Sequence, residues 1–396
     1  MKRSLPQRIA LAIVAEYLET GFLKAGDRLP TVRELERSFQ VSRNTILQAL
    51  SFLEQQGYVY RKHGSGVFVA QQTPRAQGAL PLIGFVGANV YAELMLRVYE
   101  GVEQVARLHG MHVVVGSTSN DYQIERWQVS KMVQAGCQAV VLFPCTRTKS
   151  QLRQDYLKSE FLDIPIVLVD TAYPEQERPQ VVFDNYRAGY EMTQLLLHEG
   201  HRHIAFMDFA RHDDDWVHYS TRERYRGYVD ALQQAGITPQ EQHRWIIWDK
   251  HFAVDNVQPD IRNLLESAKH QTPRPSAVIA IEDAMAVQTI VLAQEMGFAV
   301  PEQLRVVGFD DLPVAQMFRP EFPTTAPDFR RAGELAAELA IRLMRGEKLP
   351  SLVYMLPVPI RRRRVSARGG TLTGTTLDPQ PEESPVFTGE YPAPSG

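Results

Sequence analysis

The spacing of apolar and polar positions changes rhythm once along the chain, near residue 80. Before that point, apolar residues recur at helical spacing in short stretches. Ile9, Ile13, Val14, Tyr17 and Leu18, with Glu16 and Glu19 between them, form the stripe of an amphipathic helix. A second helix is predicted from Thr31, because Thr31-Val32-Arg33-Glu34 fits a capping box and Val32, Leu35 and Phe39 share one face. A third is predicted from Ser42, with Ile46, Ala49, Leu50 and Leu53 inward and Gly57 as its stop. Residues 58–60 and 67–69 then alternate as two short strands around a turn at 62–66.

Beyond residue 80, compact apolar runs alternate with longer stretches of helical period. The predicted strands are 83–87, 112–117, 139–143, 166–170, 203–208, 277–281 and 305–310. The helices between them fall at 93–109, 123–135, 186–199, 222–235, 284–296 and 329–345. Such alternation predicts an α/β body of parallel sheets flanked by helices. One sheet of that many strands would be wide, so two lobes are expected, joined near 172–184, with a ligand cleft between them. Residues 71–80, polar with Pro and Gly, read as a linker between a head (1–70) and the body (81–366). The tail, 367–396, is rich in Gly, Pro, Thr and Ser, and no packed structure is expected there. The arginine run 361–364 reads as a solvated strand end.

Charge separates the same two parts. The 396-residue chain has 44% apolar residues and a net charge of −3. Residues 1–70 hold ten Lys/Arg and six Asp/Glu, a balance of +4 that leaves −7 for the remainder. A basic head on an acidic body points to a polyanion partner for the head alone. The two cysteines, Cys137 and Cys145, form no CxxC or His-rich set, so neither a disulfide scaffold nor a zinc site is expected, and a reducing cytoplasm is the simpler setting. The first residues read as an amphipathic helix rather than an export signal, and no apolar stretch is long enough to span a membrane.

The two residues between the second and third helices, Gln40 and Val41, give the spacing of a helix-turn-helix. There the second helix offers its first side chains to the DNA major groove. These are Ser42, Arg43, Asn44 and Thr45, with Gln48 one turn on. Arg43 suits guanine bidentately, Asn44 or Gln48 suit adenine, and Ser42 and Thr45 suit phosphates beside the free N–H groups of a helix start. Arg33 points to the same edge. The hairpin can bring Lys62 and His63 to the backbone, and Gly64 permits close approach. Singly, each residue is as well read as a helix cap or a solvated charge; the combination points to DNA.

This segment resembles the winged helix-turn-helix of the GntR family of bacterial regulators. The resemblance rests on G-D-R-L-P-T-V-R-E-L (26–35), V-S-R-N-T (41–45), A-L-S-F-L-E-Q-Q-G-Y-V (49–59) and R-K-H-G-S-G-V-F-V (61–69). It implies DNA contacts from Arg33, Arg43, Asn44, Thr45, His63 and Gly64. Gln48 stands where the family commonly has arginine. The body resembles the LacI/GalR effector domain, related to periplasmic sugar-binding proteins, through V-V-F-D-N-Y-R-A-G (181–189), E-G-H-R-H-I-A-F (199–206), R-Y-R-G-Y (224–228) and V-P-E-Q-L-R-V-V-G-F-D-D (300–311). Together the two are similar to arabinose-type regulators.

The second resemblance implies a two-lobed, periplasmic-binding-protein-like fold and a ligand site between the lobes. Asp310 would accept from ligand hydroxyls and Arg224 would hold adjacent oxygens. Glu282, where many relatives have asparagine, would favour a polyol over an acid. Phe329 would pack on the ligand, with Tyr91 and Trp216 as further candidates. Each has a plainer reading: a cap for Asp310, a surface pair for Arg224, core for Phe329. His201 and His203 lie in the family's G-H-R-x-I-A, whose first histidine is structural, so no metal site is expected there; Asp213–Asp215, in a polar loop, read as solvated acids. The implied whole is a dimeric cytoplasmic repressor of operator DNA, controlled by a small molecule, most simply a sugar, and using no cofactor. The alternative is a solute-binding protein for sugar uptake. No nucleophile triad, P-loop or GxGxxG supports an enzyme.

Overall fold

The computed structural model describes residues 5–18, 23–55, 58–62, 65–70, 80–88, 92–173, 176–210, 216–217, 219–248, 257–362 and 387–388. Two compact units divide at Leu80/Pro81.

In the head, α1 (Leu5–Ile13) continues as a single π turn, Val14–Leu18. Next come α2 (Val32–Phe39), α3 (Arg43–Gln55) and the antiparallel pair β1 (Val59–Lys62) and β2 (Gly66–Val69). The predicted capping box is present: Thr31 Oγ1 accepts from the Glu34 amide, and Glu34 accepts from the Thr31 amide. Two otherwise orphaned N–H groups are satisfied at once. Ile13, Leu35, Ile46, Leu50 and Leu53 bury completely or nearly so around one small core. Gln40, between α2 and α3, takes a left-handed φ of 51° and turns the chain sharply.

The first lobe's sheet is built from β3 (Leu82–Gly87), β4 (His112–Ser117), β5 (Cys137–Leu142), β7 (Ile166–Val169) and β8 (Gln180–Phe183), all parallel. Its helices are α4 (Glu93–Leu108), α5 (Tyr122–Gln134) and the short α6 (Lys149–Arg153). A two-residue strand, β6 (Arg147–Thr148), leaves this layer after β5. After β8 the chain continues into α7 (Asn185–His198) and the second lobe.

The second lobe holds β9 (Ile204–Ala210), the short β10 (Trp216–Val217), α8 (Tyr219–Gln234), β11 (Arg244–Trp248), α9 (Gln258–His270), β12 (Ala277–Ile279), α10 (Asp283–Glu295), β13 (Arg305–Val307) and α11 (Pro313–Met317). Its four-stranded sheet has the order β11-β9-β12-β13, again parallel. The short β14 (Thr324–Thr325) follows, and the chain then returns. Helix α12 (Phe329–Met344) packs on α4, and β15 (Val353–Leu356) lies parallel to β8. Finally β16 (Ile360–Arg361) pairs with β14, leaving Arg361 and Arg362 exposed, as a strand end requires.

Strands β8 and β11 and helix α9 extend the predicted set. In the tail, Phe387–Thr388 forms β17, antiparallel to β15 along the edge of its sheet. Among the described residues no helix is long and apolar enough to cross a membrane.

Candidate DNA-binding helix and interlobe cleft

Helix α3 has two unlike faces. Ile46, Ala49, Leu50 and Leu53 are buried, while Arg43, Asn44 and Gln48 are exposed and Thr45 is half-buried. Ser42 caps the helix: its Oγ accepts from the Thr45 amide at 3.3 Å and lies 2.9 Å from Thr45 Oγ1. Ser42 is exposed, so the cap coexists with access to a phosphate. Arg33 is exposed in the first turn of α2. In the hairpin, Tyr60 stacks on Phe68 and the Lys62 ammonium sits 5.9 Å from the Phe68 ring. Arg61 pairs with Glu54 at 3.0 Å, joining the hairpin to α3. His63 and Gly64 lie outside the described residues.

In the body, Arg224 is the hub of a cluster at the carboxyl ends of the strands. Its Nε donates to Asn185 Oδ1 at 2.8 Å, Nη1 to the Ile281 carbonyl at 2.8 Å and Nη2 to Asp310 Oδ1 at 3.0 Å. The guanidinium stacks 4.3 Å from the Phe309 ring centre. Its place depends on two glycines. A Cβ on Gly189 would stand 2.1 Å from the Arg224 carbonyl oxygen, and one on Gly227 the same distance from that of Tyr186. Only glycines let α7 and α8 approach so closely, and that approach brings Asn185 under Arg224.

Three aspartates around the cleft have left-handed backbones: Asp170 at the end of β7 (φ 59°), Asp310 (φ 94°) and Asp311 (φ 49°). Such conformations cost free energy and concentrate where side chains are held for function. Burial pushes the Asp170 carboxyl up to about 7, with Arg224 opposing and Asp310 adding to the shift. Burial also pushes Glu282 up to about 7, aided by the Asp310 charge and opposed by Arg224. Among the described residues neither Asp170 nor Glu282 has a hydrogen-bonded side-chain partner. Among the described residues these two carboxyls therefore leave acceptor capacity unused beside Arg224. Asp283, next along, is structural. It accepts from Thr324 Oγ1 at 2.5 Å and from the Leu312 amide at 2.7 Å, and burial pushes it up to about 8.

Of the predicted ligand residues, the structure brings Arg224, Asp310 and Glu282 together. Phe329 is 3% exposed at the start of α12, edge-on to Phe183 with ring centres 5.1 Å apart, so it stands in the core. Tyr91 lies outside the described residues, as does the side chain of Trp216. His201 meets Ser276 Oγ at 2.9 Å, and the described residues contain no metal-holding cluster. Asp213–Asp215 lie outside the described residues. Both cysteines are buried thiols with no disulfide between them.

Asn185 and Asp170 were not predicted. Asp170 closes an apolar strand as Asp310 does, and that likeness was the available signal. A second network, also unpredicted, fills the first lobe beneath β6. Arg147 is wholly buried; its Nη1 donates to Glu125 Oε2 at 3.0 Å, its Nη2 to Glu125 Oε1, and its Nε to Asp155 Oδ2 at 3.0 Å. Tyr122 and Tyr173 flank the guanidinium, 4.8 and 5.6 Å from ring centres.

The chain's relatives agree with this division. Residues 7–69 match the model for bacterial regulatory proteins of the gntR family, and residues 193–364 match the periplasmic binding protein-like domain. The arabinose metabolism transcriptional repressor of Geobacillus stearothermophilus is 27% identical over 370 residues, covering 91% of this chain and 98% of that one. The transcriptional regulator GalS of Salmonella typhimurium is 27% identical over 353 residues, covering 87% and 95%. Among solved structures, the transcription regulator CcpA of Lactococcus lactis shares the fold, with a TM-score of 0.61 at 20% identity over 73% of this chain and 100% of its own.

Proposed function

We propose that this chain, with a gntR-family head and a periplasmic-binding-protein-like body, is a ligand-responsive repressor whose operator affinity is set by a neutral sugar. One observation carries the DNA half. Arg43, Asn44 and Gln48 stand exposed on a capped helix whose opposite face is locked into the head's core. That is the presentation a major-groove reader needs. Repression as the sign of control is supported by the names of relatives called repressors.

The acceptor-rich cleft supports a polyhydroxyl effector. Arg224 spends donors on Asn185, Ile281 and Asp310, whereas the Asp170 and Glu282 carboxylates await donors. A hydroxyl can donate to them when they are ionised and accept from them when they are protonated, whereas a phosphate or carboxylate would add negative charge to a buried site already crowded with carboxyls. Two copies, each bringing one head to a half-site, would read a palindromic operator. Effector and operator then shift each other's affinity by the same factor.

The test is a mobility-shift assay on the chain's own promoter, with and without arabinose, galactose and ribose. A shift at low salt that one sugar alters is expected. No shift would refute DNA regulation, and a shift indifferent to every sugar would refute the sugar as effector.

A further inference from the structure

The lobes of the body touch away from their chain crossings. β6 of the first lobe pairs antiparallel with β10 of the second, Thr148 opposite Trp216 and Arg147 opposite Val217. A ladder this short does not hold by its own hydrogen bonds. It needs at least one strip fixed in advance, and the first lobe fixes its strip from every side. The Cys145 amide donates to Glu125 at 2.6 Å, and the Cys145 carbonyl accepts from Arg147 Nη1 at 2.6 Å. The Thr146 amide donates to Asn120 Oδ1 at 2.9 Å. Thr148 closes a capping box with Gln151 at the start of α6. Arg147 ties these together, because Glu125 and Asp155 both grip its side chain while its backbone forms half of the ladder. Tyr156 Oη donates to the same Glu125 at 2.8 Å, completing the carboxylate's shell.

A buried ion network is a poor way to gain stability and is better explained where it fixes one geometry. We propose that Arg147 is a positioning residue for the cleft, fixing in the first lobe the strip onto which the second lobe's 216–217 segment closes. β6 and β10 form a clasp that holds the lobes in one relative orientation. This rests on the reading of the interlobe cleft as the effector site, and it adds a contact through which the effector's closing is felt.

The test uses the full chain carrying Thr148→Cys and Trp216→Cys. Directly opposed antiparallel residues have Cα atoms about 4.5–5.5 Å apart, within disulfide reach. Under oxidised glutathione the 148–216 cross-link, identified by peptide mapping, is expected to form in most molecules. Adding Arg147→Lys, which keeps the charge but not the forked grip, is expected to slow its formation at least about tenfold, because access and alignment govern the exchange. Urea unfolding of the reduced protein checks that this variant folds; if it does not, Asp155→Asn serves as the milder lesion, with a severalfold slowing expected. A cross-link that does not form, or that forms as fast in the folded Arg147→Lys or Asp155→Asn background, overturns the proposal.

Melting of the unmodified chain with arabinose, galactose and ribose judges the sugar reading separately, and the cross-link rate decides the clasp whatever its result. With a sugar that raises the melting temperature, the oxidised protein is expected to bind operator DNA with an affinity no longer responsive to that sugar. Reduction restores the response seen in the reduced double variant. A response undiminished by oxidation also overturns the proposal.

Discussion

Arg147 and Arg224 are both buried arginines near the carboxyl ends of parallel strands, yet they do different work. Around Arg147 the charges close on themselves within one lobe. Burial opposes its charge most strongly, but Glu125, Tyr173 and Cys145 together outweigh it and hold its pKa well above the usual arginine range. Around Arg224 the balance is left open. It has one carboxylate in hand, Asp310, and two more nearby, Asp170 and Glu282, both pushed up to about 7. The first network is closed on itself; the second leaves acceptors for the effector proposed above. Burial alone does not separate the two.

The strongest way to break this contrast is Arg147→Ala. It strands the Glu125 carboxylate in the core, and breaking a buried pair typically costs about 3–5 kcal/mol. Urea denaturation should show that loss, and a cost below about 1 kcal/mol would mean the network contributes little net order. Next comes Arg224→Ala. It should cost less stability than Arg147→Ala but weaken the effector by about 1.5–3 kcal/mol, the worth of hydrogen bonds to a charged group. Calorimetric titration with the active sugar checks this, and unchanged affinity would remove Arg224 from the site.

Arg43→Ala leaves both networks intact and should cost about 1–3 kcal/mol of base discrimination, read by competition between operator variants. Unaltered preference would displace Arg43 from its role. The gentlest change is Glu282→Gln. A carboxyl whose folded pKa is raised contributes stability that is fully present below its unfolded value and lost as pH rises through the folded one. For Glu282 that window runs from 4.5 to about 7. The variant's stability should fall less steeply with pH across the window; an identical slope would mean that Glu282 does not titrate there.

What could be read from the sequence was local. The Thr31–Glu34 box and the Ser42 cap use residues three apart, and both form as predicted. The strand ends carrying Asp310 and the α8 position of Arg224 were legible from their motifs. The Glu125–Arg147–Asp155 set was not, because its members come from a helix, a two-residue strand and a loop and share no periodicity. Helix α9 was readable in principle, since Ile261, Leu265 and Ala268 keep helical spacing on its buried face. β8 is a short run, Gln180–Phe183, whose wholly buried character comes from β7 and β15 on either side and shows only in the fold.

The return of α12 and β15 has a consequence for how the protein is made. Phe85, Val141 and Val181, from the first half of the chain, share a core with Phe329, Ala336 and Leu339 of α12. On the ribosome, the first lobe emerges early but cannot close that core until residues past 340 have been synthesised. Its apolar face stays uncovered while the second lobe's four strands, contiguous in sequence, are completed. The later-made lobe can therefore mature first, and the earlier one waits for the chain to come back.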